Sequence, residues 1–186
     1  MGWFGTPGTP NPATSGAPAP QASSRMPDQA AAPTNIRKTM LVRAPQRQAF
    51  DLFTLSQARW WPPVDQPAPA PRVFMESRLG GRWYERSVDR SETSWGRVLA
   101  WAPPHSLVLS WQIGADGEFD PELETELELG FVARSEQWTL VCLEHRRLDR
   151  YGDDAEAQRS LLASDVGWSG ILEHFKRHCD RVHAPA

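Results

Sequence analysis

Apolar and polar residues begin to alternate near residue 34, where Ile36, Met40 and Val42 share one face and Arg37, Thr39 and Arg43 fall mostly on the other. That pattern predicts a first strand. Ala44-Pro45 ends it. Proline suits a first helical position, and Ala49, Phe50 and Phe53 then form an apolar stripe, so a short helix is predicted over 45–56. Trp60-Trp61-Pro62-Pro63 stops that helix, and the five prolines between Pro62 and Pro71 make the next segment irregular. Strands are then predicted over 72–79, 82–88, 95–101, 106–113, 123–133 and 137–146. Gly80-Gly81 suits a two-residue turn, and Ala102-Pro103-Pro104-His105 marks a second reversal. From Asp153, which forms a capping-box-like start with Glu156, a helix is predicted to about Val182. Leu161, Trp168, Leu172, Phe175, Cys179 and Val182 lie along one of its stripes.

Short connections make the strands antiparallel, and the longest helix needs an apolar partner that only the concave face of the sheet supplies. The expected fold is therefore α+β: a curved antiparallel sheet of about seven strands wrapped around a long C-terminal helix. Residues 1–33, with prolines at 7, 10, 12, 18, 20, 27 and 33, are expected to form a disordered tail before one domain over 34–186. Met26 is a plausible alternative start.

The order of elements and several local motifs resemble the activator-of-heat-shock-chaperone-ATPase homologue family of the START-like (SRPBCC) superfamily. The resemblance covers about residues 36–183 and is carried by Val42-Arg43-Ala44-Pro45 leading into Phe50 and Phe53, by Trp60-Trp61, and by Glu76, Arg78, Gly80-Gly81 and Tyr84. Trp95-Gly96-Arg97-Val98, Pro103-Pro104 before Leu107 to Trp111, Leu143-Glu144-His145 and Gly167-Trp168 continue it. It implies a helix-grip fold with a hydrophobic cavity. Fold alone does not name a ligand, because this superfamily includes lipid and hormone binders, aromatic cyclases and co-chaperone domains. The eukaryotic activators carry a further N-terminal chaperone-binding domain that residues 1–33 are too short to supply, so stimulation of a chaperone ATPase is not expected.

Composition narrows the classes further. A formal net charge of -3, from 20 basic and 23 acidic residues well interspersed, offers no footprint for nucleic acid. No stretch approaches a membrane span, so a soluble cytoplasmic protein is expected. Cys142 and Cys179 lack the spacing of a zinc site or a disulfide framework. His174 and His178 stand one helical turn apart without a third ligand, so neither a metal nor another cofactor is expected.

Candidate site residues follow from strand parity and composition. A two-residue turn at Gly80-Gly81 would set Glu76 opposite Glu85 and Arg78 opposite Trp83; two carboxylates enclosed together would raise one pKa. Alternatively, Glu76 and Arg78 form an ion pair at the mouth of a cavity. His145 is the sheet histidine flanked by apolar residues, and Gly167 brackets Trp168 with Gly170, either for close packing or to leave room for a ligand. Trp83, Trp95, Trp111, Trp138 and Trp168 fill the core or line a cavity. The expected ligand-binding residues are Glu76, Arg78, Tyr84, Trp111, His145, Gly167 and Trp168, around a small hydrophobic or aromatic ligand. Two alternatives stand beside that reading: a cyclase- or hydratase-type enzyme using a cavity carboxylate or His145, and a chaperone or other protein-interaction module using exposed Trp60 and Trp61. A homodimer through an edge strand is also compatible with the sheet.

Overall fold

A computed structural model describes residues 35–62 and 70–184. The expected tail over 1–33 and most of the proline-rich segment before Pro71 lie outside the described residues. The elements run β1 (Ile36–Val42), α1 (Gln46–Leu55), α2 (Gln57–Trp60), β2 (Arg72–Met75), β3 (Arg82–Arg86), β4 (Glu92–Ala102), β5 (Ser106–Trp111), β6 (Thr125–Ala133) and β7 (Thr139–Arg146). A 3₁₀ segment (Leu148–Asp154) leads to α3 (Ala155–Ala163) and α4 (Trp168–Val182). The seven strands form one antiparallel sheet in the order β1-β7-β6-β5-β4-β3-β2, with β1 and β2 at its edges. This is the helix-grip arrangement. No helix among the described residues is long and apolar enough to cross a membrane.

Alternation sets the inner face. On β6 and β7, Leu127, Leu129, Phe131, Val141 and Leu143 are buried while their neighbours in sequence are partly exposed or fully so. Phe50 and Phe53 of α1 close one end of this core by packing edge-on against Phe131. β4 is bent by an irregularity opposite Trp83 and Tyr84, where Trp83 pairs with Gly96 and Tyr84 with Ser94. A side chain at Gly96 would stand 2.0 Å from the Ser110 carbonyl oxygen, so only glycine lets β4 approach β5 there. The extra residue is Trp95, which is buried.

Two expectations need correction. The first concerns the β2–β3 hairpin. β2 ends at Met75, the Glu76 N–H still donates to the Arg82 carbonyl oxygen at 2.9 Å, and the register places Val73 opposite Glu85 and Met75 opposite Trp83. Glu76 therefore does not face Glu85, nor Arg78 Trp83. A type I′ turn needs left-handed backbone at two consecutive residues, and Gly80 has it where Gly81 does not. The second concerns the C-terminal helix, which is two helices with a break over Ser164–Gly167. The expected Asp153–Glu156 capping box is absent, since α3 starts at Ala155 without a side-chain cap. Leu161 on α3 and Val182 at the end of α4 are exposed, and the buried stripe belongs to α4 alone: Trp168, Leu172, Phe175, His178 and Cys179. The break also explains the two glycines. A Cβ at Gly167 would meet the Leu162 carbonyl oxygen at 2.3 Å, and one at Gly170 would meet that of Asp165 at 1.9 Å.

A buried polar chain ties α4 to the sheet. The Trp168 indole N–H donates to His145 Nδ1 at 3.0 Å. The imidazole proton must therefore sit on Nε2, which donates to Thr125 Oγ1 at 2.8 Å. Thr125 passes its own hydroxyl proton to the Trp111 carbonyl oxygen at 3.0 Å. Four elements (α4, β7, β6 and β5) are joined through groups with no donor wasted. His145 is fully buried, and that burial pushes its pKa down to about 3.

Two outcomes follow from this packing. Burial of Trp168, Leu172 and Phe175 contributes roughly 1.5–3 kcal/mol each, comparable in sum to the whole stability of a small domain, which is about 5–15 kcal/mol. Truncation at Asp165 is expected to abolish cooperative unfolding, read as the loss of a sigmoidal thermal transition in circular dichroism; a transition retained near the full-length temperature would contradict this. The second outcome is a pH dependence. His145 binds fewer protons folded than unfolded, so its contribution to stability is complete above its unfolded value of 6.5 and is lost as the pH falls toward about 3. Between pH 6.5 and 4.5, before most carboxylates titrate, stability should fall by up to about 1.4 kcal/mol per pH unit from this group. His174 and His178 are also lowered by burial and add in the same direction, so the specific check is His145→Gln, in which urea melts should show a flatter slope. An unchanged slope would contradict it.

Candidate functional site

The strand periodicity and the bulge at Trp95 bring indoles from four elements into one cluster. Trp83 of β3 meets Trp95 of β4 at 5.4 Å and Trp111 of β5 at 5.5 Å between ring centroids, and Trp95 meets Trp111 at 5.7 Å. Trp168 of α4 stands edge-on to Trp111 at 5.2 Å. Trp61, just past α2, touches Trp83, Trp95 and Trp168 at 5.8, 5.4 and 6.4 Å. These contacts are tilted or T-shaped, the arrangement the aromatic quadrupole favours. Trp83 and Trp168 are almost wholly buried, whereas Trp61 and Trp111 are partly exposed and form the accessible side of the cluster.

Polar side chains hold the rings in place. Trp83 donates its N–H to Gln57 Oε1 at 3.1 Å, and Trp111 donates to the Tyr151 hydroxyl at 3.1 Å. Tyr151 in turn donates to the Ile113 carbonyl oxygen at 2.8 Å, and burial pushes its pKa up to about 12. It stays a neutral donor. With Trp168 on His145, three of the five indoles are fixed by a directed hydrogen bond as well as by packing.

Of the residues expected to bind ligand, Trp111, His145 and Trp168 come together here. Glu76, Arg78 and Tyr84 do not. Glu76 lies beyond the end of β2, bonded to Arg82 at 2.8 Å and to Arg78 at 2.9 Å; the Arg82 hydrogen bond, more than any other contact, holds its carboxyl below the usual range. The Glu76–Arg78 ion pair thus exists, but it belongs to a surface network with Arg82, Glu92 and Arg86. Tyr84 alternates with inward-facing Trp83 and so faces the other way, stacking on Phe74 with the Arg82 guanidinium 4.5 Å from its ring centre. Gly167 caps α4 against the Leu162 backbone, so its small size serves close packing. Trp138 is exposed on the outer face and takes no part.

Trp61, Gln57, Thr125 and Tyr151 were not among the expected ligand-binding residues. Parity offered a signal for Thr125, an even step from Leu127 and Leu129, but none for Tyr151, which sits in a 3₁₀ segment. Glu85 shares the inner face with Trp83, is partly buried, and has no ion-pair partner among the described residues; burial raises its pKa. Trp60 is 3% exposed, with its N–H bonded to the Leu52 carbonyl oxygen, so of the tryptophan pair only Trp61 presents surface to solvent. His174 is partly exposed and His178 buried, and no group of three or more metal-ligating side chains converges among the described residues. A separate hollow of about 300 Å³ lies between α1 and the end of α4, lined by Leu52, Leu55, Val182 and His183 among others, with none of the indoles.

Comparison with known proteins agrees with this architecture. The family model described as Activator of Hsp90 ATPase homolog 1-like protein matches residues 43–180. Among solved structures, the chain is similar to an anthrahydroquino-γ-pyrone synthase, Txn09, at 33% identity over 77% of this chain and 95% of that one, with a TM-score of 0.57. It is also similar to CalC, a self-sacrificing resistance protein from Micromonospora echinospora, at 29% identity over 82% of this chain and 97% of that one, with a TM-score of 0.60. The Aha1 dimer from Colwellia psychrerythraea shares the fold at 15% identity over 78% of this chain and 95% of that one, with a TM-score of 0.51. No curated protein sequence matches significantly. The helix-grip topology, the match over 43–180 and the 33% identity to a relative aligned over 95% of its own length together establish that this chain belongs to the Activator of Hsp90 ATPase homolog 1-like family of the START-like superfamily.

Proposed function

We propose that this protein binds a small aromatic ligand against the indole cluster inside the grip. The observation that carries the reading is the cluster itself: five indoles at centroid distances of 5.2–6.4 Å, three of them tied by N–H bonds to Gln57, Tyr151 and His145. Rings held this way present aromatic surface that loses little freedom on binding, which is where preorganised sites gain affinity. Two of the relatives above add support, one named an anthrahydroquino-γ-pyrone synthase and the other a self-sacrificing resistance protein.

A ligand that buries on the order of 300 Å² of apolar surface gains roughly 7 kcal/mol, and each well-placed aromatic pair adds about 0.5–1.5 kcal/mol. After association costs, micromolar affinity is the reasonable scale. His145 does not fit the role of general acid or base, because both ring nitrogens are committed and burial keeps it neutral. A second reading, cyclase-type acid–base chemistry, rests on Glu85, the inward carboxylate that has no ion-pair partner among the described residues and whose pKa is raised by burial.

The test is a fluorescence titration of the full chain with a panel of polycyclic aromatics and fatty acids. Aromatic members are expected to quench tryptophan emission saturably with micromolar midpoints and to raise the melting temperature, and Trp111→Leu should weaken them about tenfold. Mass analysis of the recovered ligand separates simple binding from turnover. Absence of both quenching and a thermal shift across the panel would overturn the proposal.

A further inference from the structure

Gln57 is 2% exposed, on the short α2 that follows α1. Its side-chain oxygen accepts the Trp83 N–H, and this fixes the orientation of the amide, since a flipped group would set donor against donor. Nε2 is therefore the end turned away from Trp83. It is buried, and it has no hydrogen-bond partner among the described residues. A dry, unpaired amide donor is costly, and native folds rarely keep one without a reason. Support of an indole does not require it: Trp60 satisfies its N–H with the Leu52 backbone carbonyl and leaves no orphan.

The surroundings specify the missing acceptor. Gln57 stands at the edge of the Trp83 ring, and Trp83 is in contact with Trp61, Trp95 and Trp111. Glu85 lies two residues further along the inner face of β3 without an ion-pair partner among the described residues, so a carboxylate or phosphate brought there would be repelled. We infer that Gln57 Nε2 donates a hydrogen bond to an uncharged oxygen of the aromatic ligand, a ketone or quinone carbonyl, so that the site selects oxygenated polycycles over hydrocarbons of the same shape. This rests on the aromatic-ligand reading and adds the chemical class to it.

Fluorene and 9-fluorenone share a tricyclic frame and differ by one carbonyl, which makes them the appropriate probes. In water the carbonyl is already hydrogen-bonded, so a site without a donor would bind fluorenone more weakly than fluorene. The wild-type chain is expected to bind fluorenone about ten times more tightly than fluorene by tryptophan quenching, the effect of one buried hydrogen bond. In Gln57→Met, the ratio of fluorenone to fluorene affinity should shrink to about threefold or less, a ratio in which any loosening of Trp83 from loss of the Gln57 acceptor affects both probes alike. Equal or weaker binding of fluorenone by the wild-type chain would overturn the inference, leaving Gln57 to a bridging water only, while the aromatic-ligand reading stands. Failure of both probes to bind would overturn both. The wild-type comparison decides the question even if the variant folds poorly.

Discussion

The hydrogen bond from the Trp168 indole to His145 is the contact on which the interior depends. It seats α4 on the sheet, and because Nδ1 accepts, the imidazole must be neutral and protonated at Nε2. That proton then reaches Thr125, whose hydroxyl reaches the backbone of Trp111. The two rings that meet edge-on at 5.2 Å are thus positioned by the two ends of one polar chain. Buried polar groups in such a chain favour one arrangement only when every member is satisfied, and here each of these donors and acceptors is used.

The same constraint explains the rest of the site. A tryptophan brings a large apolar surface into a core together with one N–H that must be paired. The fold meets that need with Gln57, Tyr151, His145 and a Leu52 carbonyl, so the polar residues of the interior act chiefly as supports for rings. Gln57 departs from this pattern by bringing a donor that no ring uses. Such support holds the partly exposed Trp111 in place, which fits the proposed recognition of a rigid flat molecule.

Much of the architecture was legible in the sequence. Leu127, Leu129 and Phe131 alternate with Glu126, Glu128 and Gly130 and so mark the inner face of β6, whereas Leu140 to Leu143 are apolar on both faces of β7 and leave its parity open; the order of elements pointed to the helix-grip fold. Legibility failed where the backbone left regular geometry. Residues 76–81 form a loop rather than a tight turn, so the register of β2 against β3 differs from the one a two-residue turn would impose, and Glu76 and Arg78 lie beyond the paired strand. Tyr84 faces away from the indole cluster because Trp83 faces it, and nothing in the pattern Arg82-Trp83-Tyr84-Glu85 distinguishes which of two adjacent aromatics, both buried, joins that cluster. The helix break was masked because apolar spacing continues across it; the contacts of Gly167 and Gly170 with the carbonyls of Leu162 and Asp165 are tertiary in origin. In the site, Trp111, His145 and Trp168 were found by residue type, whereas Gln57 and Tyr151 are defined by the rings they hold.

The most direct test of the account is the protonation state of His145. Long-range ¹H–¹⁵N correlation spectra of the imidazole, recorded from pH 7.5 to pH 5, should show a neutral ring protonated at Nε2 whose nitrogen shifts do not titrate, as expected for a group whose pKa burial has pushed down to about 3. A ring protonated at Nδ1, or one that titrates near its ordinary value of 6.5, would show that Trp168 does not donate to it and would contradict the central claim.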